Sequence, residues 1–163
     1  MAADTIRTFA RHNHRDCRKQ ALGDVQRLCD SRGARLTPVR RRVLELLWEK
    51  HQPVSAYDML VRLREDGLGS QPPVIYRALD FLIEHGFAHK LPKLNAYVGC
   101  AHPGTDHPVQ FLICTSCDKV AELQEATVNR ALKKAAQNNQ FALASAVLEI
   151  EGTCPSCQNG KAK

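Results

Sequence analysis

Four cysteines constrain this chain more than any other feature of it. Two residues lie between Cys114 and Cys117, two lie between Cys154 and Cys157, and 36 residues separate the pairs. That short spacing lets both sulfurs of a tight turn point at one centre, and two such turns complete a tetrahedral shell of thiolates around zinc at about 2.3 Å per bond. Cys154-Pro-Ser-Cys157 supplies the turn residues directly. A closed shell leaves no open position, so a zinc ion held there is structural. It ties the end of the chain to an earlier strand, and its binding energy becomes folding energy. The spacer exceeds the roughly 15–20 residues of an ordinary zinc ribbon and has to contain a helix and a strand. A thioredoxin-like redox pair at either turn is the competing reading.

Seven cysteines point to metal before disulfides in a compartment where thiols stay reduced. Residues 1–17 lack the apolar core of a secretion signal. No apolar run approaches the roughly 18 residues of a membrane span. The chain is therefore expected to be cytoplasmic, with no membrane partner. With 163 residues, 44% of them hydrophobic, it can form one domain or two small ones. Its net charge of +6 is uneven: residues 1–96 carry 17 Lys and Arg against 11 Asp and Glu, and residues 97–163 carry 6 of each. A basic half beside a balanced one predicts a polyanion partner for the basic half, with a merely soluble basic surface as the alternative.

Residues 1–16 are polar, hold His12 and His14, and read as a mobile arm. From Arg18, the positions Leu22, Val25, Leu28 and Cys29 recur at helical spacing, and Gly33 suits a helix end. Thr37 and Pro38 open a second helix with Val39, Val43, Leu46 and Leu47 as its buried stripe. Ser55 to Asp58 form a capping-box-like start, with Asp in place of Glu, for a third helix ending near Glu65. Pro72 and Pro73 open a fourth, with Ile75, Leu79, Leu82 and Ile83 inward and Gly86 as its C-cap. Residues 87–91 and 96–100 are short strands joined across Pro92 to Asn95. Helices followed by a small hairpin make the winged helix-turn-helix pattern. Beyond Cys100 the chain reads as strands over 109–114 and 120–123, a helix over 127–138 and a longer strand over 141–150. The fold class is therefore α+β, with an N-terminal winged helix-turn-helix domain and a small α/β domain carrying the four-cysteine site.

His89, Cys100, His102, His107 and Glu122 remain as further metal-ligand candidates. Each alone has a plain explanation as a wing histidine, a buried thiol, loop histidines or a strand glutamate. The order of motifs decides between these. R-L-T-P-x-R (35–40), S-A-Y-D (55–58), Y-R-A-L-D-F-L (76–82), G-F-x-H-K (86–90), the Tyr97-x2-Cys100 segment and the two cysteine pairs together resemble the ferric uptake regulator family, and within it the zinc uptake regulator branch. The resemblance covers about residues 22–157.

The resemblance implies a sensing site of His89, Cys100, His107 and Glu122, with His102 as the rival of His107. Iron-sensing relatives usually carry H-H-D-H before the L-I-C of the first cysteine turn. Here those positions are Pro108, Val109, Gln110 and Phe111, none of them a ligand. A cysteine in the remaining set also suits a borderline-soft zinc shell better than a hard ion. Two Zn2+ per subunit are expected, one structural and one regulatory. The resemblance also implies a homodimer built from the C-terminal half and a double-stranded DNA operator as partner. Tyr57, Tyr76, Arg77, Arg35 and Arg40 are the expected DNA contacts. Arg77 would pair with guanine, or else with Asp80 on the surface; Tyr57 has a half-buried structural alternative. Arg35 and Arg40 to Arg42 would serve phosphates. The family usually has Thr where this chain has Val74, which removes a helix cap and a phosphate donor.

The domains are then an arm over 1–16, a DNA-binding winged helix over 17–94, a metal-binding dimerisation domain over 95–158, and a tail over 159–163. The function implied is a zinc-responsive repressor of zinc-uptake genes, in which regulatory zinc fixes the inter-domain geometry of a dimer. The alternatives are a thiol or peroxide sensor working through Cys17, Cys29 or Cys100, and a metal buffer or enzyme with an open zinc site. No nucleophile–base pair or substrate-cavity motif accompanies the ligands, so no enzyme, no catalytic residue and no small-molecule substrate is expected. Residues 128, 132 and 135 and the strand over 141–150 suit a shared sheet or a plain core equally.

Overall fold

The computed structural model describes residues 8–9 and 13–160. Most of the expected arm lies outside them. Two compact units result, one ending at Thr105 and the other beginning at Asp106 and including Thr8 and Phe9. The division thus falls some way beyond the expected boundary after Leu94, because the wing strands belong to the first unit.

The first unit begins with α1 (His14–Ser31), whose N-cap Asn13 accepts a hydrogen bond from the Arg15 N–H at 3.1 Å. Asp16 sits in the first turn, where its charge suits the helix dipole. His14 to Asp16 are therefore helix, where the sequence reading placed arm. In α2 (Pro38–Leu47), Thr37 Oγ1 accepts from the Arg40 N–H at 3.4 Å, and Val43, Leu44, Leu46 and Leu47 are buried. Ser55 caps α3 (Ala56–Glu65) by accepting from the Asp58 N–H at 3.1 Å. Its own hydroxyl donates to the Asp58 carboxylate at 2.7 Å, a variation on the box that the shorter acid makes possible.

Helix α4 (Pro72–Glu84) has no side-chain cap at its N-cap Gln71, and Val74, expected to stand at a cap position, lies instead within the first turn, because the helix already begins at Pro72. It buries Ile75, Ala78, Leu79, Phe81 and Leu82. Ile83, expected inward, is 37% exposed; burial of Phe81 centres the inward face on Ala78 and Leu82, and Ile83 falls off the opposite edge. Gly86 follows at φ +71°, ending the helix.

β1 (Ala88–Leu91) and β2 (Ala96–Gly99) pair antiparallel, with Ala88 opposite Gly99 and Leu91 opposite Ala96. Asn95 takes φ 45° in the turn between them. Val54 and Tyr97 exchange two backbone hydrogen bonds of 2.9 Å, which fastens the wing to the start of α3. Val25, Leu44, Met59, Leu79, Phe87 and Tyr97 share one core, and the Trp48 indole lies where a Cβ on Gly99 would stand.

The second unit is a three-stranded sheet in the order β4-β3-β5. β3 (Val109–Cys114) pairs antiparallel with β4 (Val120–Glu122) and parallel with β5 (Val147–Gly152). The parallel pair needs a crossover, which α5 (Ala126–Asn138) provides. The single turn α6 (Pro155–Gln158) follows. The expected strand over 141–150 shrinks to Val147–Gly152. The chain leaves α5 through Gln140 at φ 52°, and the Phe141 N–H bonds the Ala136 carbonyl at 2.9 Å, which withholds it from any ladder. No residue of α5 is buried, and Phe141, Leu143, Val147 and Ile150 are exposed. Among the described residues this apolar surface does not form a plain core.

Candidate metal centres and nucleic-acid surface

Local structure brings the four cysteines to one point. β3 ends at Cys114, and a turn with Asp118 at φ 58° carries Cys117 back beside it. The Thr115 N–H bonds the Gly152 carbonyl at 2.9 Å, so β5 ends alongside that turn. Cys154 then caps α6, and the Cys157 N–H closes on the Cys154 carbonyl at 3.0 Å. Sulfur–sulfur distances are 3.6 Å for Cys114–Cys157 and 3.8 Å for Cys117–Cys154, and all four sulfurs lie within 4.8 Å of one another. A tetrahedron with bonds of about 2.3 Å has edges of about 3.8 Å. The cluster therefore has the dimensions of a zinc tetrathiolate.

Its electrostatics ask for a dication. Burial pushes the Cys114 thiol up, but N–H groups of Cys154, Ser116 and Cys117 outweigh burial and bring it down to about 6. Burial pushes the Cys117 thiol up, and burial together with the neighbouring sulfurs pushes Cys157 up. One anion thus makes further anions costly until a cation neutralises them.

The other candidates form two pairs, one in each unit. His89 lies in β1 and Cys100 directly after β2, whose pairing sets them side by side with ligand atoms within 4.8 Å. Cys100 is buried, and its N–H bonds the Phe87 carbonyl at 3.0 Å. In the second unit Glu122 ends β4, and its Oε1 lies 2.5 Å from Nε2 of His107, with both side chains nearly enclosed. His102 sits in the loop after Cys100, where its carbonyl accepts the Thr105 hydroxyl at 2.9 Å. Each pair offers two donors, half of a tetrahedral zinc shell.

Of the expected DNA contacts, Tyr57 is 75% and Tyr76 49% exposed, and Arg77 and Arg35 are exposed as well. Among the described residues no ion pair with Asp80 engages Arg77. Arg40, expected at phosphates, is half-buried and makes contacts inside its own unit. Its guanidinium stands 3.6 Å over the Phe81 ring and donates to the Arg35 carbonyl at 2.6 Å. Arg41 bonds the Gln26 side chain. Arg42 donates to Asp66 at 2.6 Å with Glu45 and Glu49 nearby, and the Asp66 bond raises its pKa.

The model of the ferric uptake regulator family matches residues 31–151. The chain is 38% identical over 140 residues to the zinc uptake regulation protein of Escherichia coli (strain K12), covering 85% of this chain and 82% of that protein. It superposes on a zinc uptake regulator complexed with zinc and DNA with a TM-score of 0.81, at 36% identity, over 88% of this chain and 97% of that one. Against holo XcZur the TM-score is 0.77, at 42% identity, over 85% and 96% of the two chains. The chain belongs to the ferric uptake regulator family.

For a ferric uptake regulator protein, the run before the first cysteine turn is informative. Gln110 and Phe111 are buried in β3, and Gln110 Nε2 donates to the Glu125 carbonyl at 3.4 Å. These positions build the sheet. Cys29 is fully buried, and burial raises its thiol, which removes it as an oxidant-sensing candidate. Sequence reasoning missed one cluster in this family member: His14, Cys17 and His51 offer ligand atoms within 4.8 Å of one another. The spacing of His14 and Cys17 was a readable signal; His51, far along the chain, gave none.

Proposed function

We propose that the protein is a zinc-responsive repressor that binds a double-stranded DNA operator as a homodimer and silences zinc-uptake genes when zinc is plentiful. Two zinc ions per subunit serve it: one held by Cys114, Cys117, Cys154 and Cys157, the other shared by His89, Cys100, His107 and Glu122. The observation that carries this reading is the pairing of donors, a thiol with an imidazole in the first unit and an imidazole with a carboxylate in the second. Neither pair is a shell by itself. Together they make the mixed sulfur, nitrogen and oxygen set that suits zinc rather than a hard ion.

Ligands drawn from both units couple occupancy to their relative orientation. In a dimer that orientation sets the distance between two copies of α4, which has to match the spacing of two operator half-sites. A switch from about 1:99 to 99:1 needs roughly 5.5 kcal/mol of preference for the DNA-competent arrangement. Zinc coordination is worth about 10–16 kcal/mol in small structural sites, so the energy suffices. Arg77 and Tyr76 on α4, with Tyr57 on α3, are the reading side chains, and Arg35 serves a phosphate. The second copy covers the open apolar face of α5 and β5, where Phe141 is 65% and Val147 48% exposed. No helix among the described residues is long and apolar enough to cross a membrane; we place the protein with the chromosome in the cytoplasm. It regulates rather than catalyses.

The test is fluorescence anisotropy of promoter fragments from zinc-transport genes against the full chain at buffered free zinc, with and without peroxide. Binding should follow zinc and ignore peroxide, and His107→Ala should abolish the zinc response. Binding that is independent of zinc, or governed by peroxide, would overturn the proposal.

A further inference from the structure

The cluster of His14, Cys17 and His51 lies wholly within the first unit and shares no residue with the two sites above. His14 and Cys17 are three apart on the first turn of α1, so they share one face of the helix. His51 follows the end of α2, whose C-cap is Trp48. Its ring meets that of His14 edge-on, with centroids 4.5 Å apart, and stands 6.4 Å from the Trp48 ring. One ligand atom from each of the three residues falls within 4.8 Å of the others, and all three residues are half-buried.

The tautomer of His14 is set by its surroundings. Its Nε2 lies 3.0 Å from the Glu49 carbonyl oxygen. A carbonyl can only accept, so the proton of the neutral ring is on Nε2 and the lone pair on Nδ1. A metal-ligating histidine is held in this way, with its second nitrogen donating to a backbone carbonyl that fixes the ring and raises its basicity.

We propose that His14, Cys17 and His51 form a third metal site, for a borderline-soft divalent ion of the zinc class. One thiolate and two imidazoles favour zinc over magnesium or calcium, which require oxygen donors. Three protein ligands leave the fourth tetrahedral position to water. The site fastens the first turn of α1 to the connection between α2 and α3, in the unit that carries α4. Having fewer ligands, it fills after the other two. The family match begins at residue 31, so His14 and Cys17 belong to a part of the chain outside the matched segment.

The experiment uses the full-length reduced protein at stepwise buffered zinc, with metal content measured by mass spectrometry and alkylation of Cys17 followed by peptide mapping. Wild type should hold one ion more than either His51→Ala or Cys17→Ser. Zinc should clearly slow alkylation of Cys17 in wild type, because a thiolate whose lone pair is bonded to a metal is a weaker nucleophile than a free one. His51→Ala should remove that protection while the four-cysteine zinc stays bound. Equal metal content in all three proteins would overturn the proposal, as would alkylation of Cys17 at one rate with and without zinc, or protection that persists in His51→Ala. The alkylation readout on wild type does not depend on how the variants fold.

Discussion

Replacing Cys157 with serine isolates what coordination contributes, because the residue is only half-buried and the substitution barely changes its volume. Its sulfur sits 3.6 Å from that of Cys114 and shares one centre with Cys117 and Cys154. Structural zinc sites are worth about 10–16 kcal/mol at neutral pH, so one ligand in four carries about 3–4 kcal/mol on an even division. In a chain of 163 residues, each kcal/mol moves the melting temperature by about 2–4 °C, which predicts a fall of about 6–16 °C. The assay is circular dichroism melting of wild type and variant, each with zinc and with excess strong chelator. Zinc should raise the melting temperature of wild type more than that of Cys157→Ser, whose three remaining thiolates hold the ion less firmly, and excess chelator should bring both proteins below the zinc-loaded variant. A variant melting within two or so degrees of zinc-loaded wild type, or a wild type indifferent to chelation, would refute the assignment of a structural zinc here.

Gly99→Ala should destabilise the first unit by about 1–3 kcal/mol, the usual cost of forcing extra volume into a packed site, because its Cβ would stand in the Trp48 indole; urea denaturation followed by tryptophan fluorescence measures it. Arg77→Ala should weaken operator binding by about 1–3 kcal/mol while zinc content and melting stay at wild-type values; equal affinity for specific and unrelated DNA in wild type would dispose of that role. Proton release gives a third check. Cys117 and Cys157 are pushed up and hold their protons at neutral pH until metal displaces them. Zinc added to stripped protein at pH 7 should therefore release at least those two protons. The apparent affinity should fall as pH falls, most steeply below about 6, where Cys114 also becomes protonated. An indicator dye in weak buffer reads the release, and a pH-independent affinity would contradict it.

The parts of this fold that a reader of the sequence can see are those whose causes are local. Thr37 and Ser55 cap the helices they precede, Gly86 takes the left-handed conformation that ends α4, and each cysteine pair is one turn. What stays hidden depends on partners far along the chain. Arg40 belongs over Phe81, and His51 meets His14 and Cys17, because helices that are distant in sequence pack together. The misread strand over 141–150 has a related cause. Its alternation is genuine, but the end of α5 claims the Phe141 N–H first.

The same strand shows what the cysteine pairs do beyond binding metal. Within one subunit β5 has no buried residue, and until a second copy covers it a strand that buries neither face is weakly specified in register. Yet it pairs with β3 along its whole length, with Cys114 opposite Gly152 and Cys154 two residues further on. A slip of one residue would carry Cys154 about 3.3 Å along the strand, nearly the full 3.8 Å that separates it from the sulfur of Cys117. A tetrathiolate cannot absorb such a shift, so the four cysteines fix a register that hydrophobic pattern leaves open. Stripping the metal should then loosen β5 before β3 and β4, and amide exchange resolved by strand would reveal it. If all three strands exchange alike without zinc, something other than the cysteines holds the register.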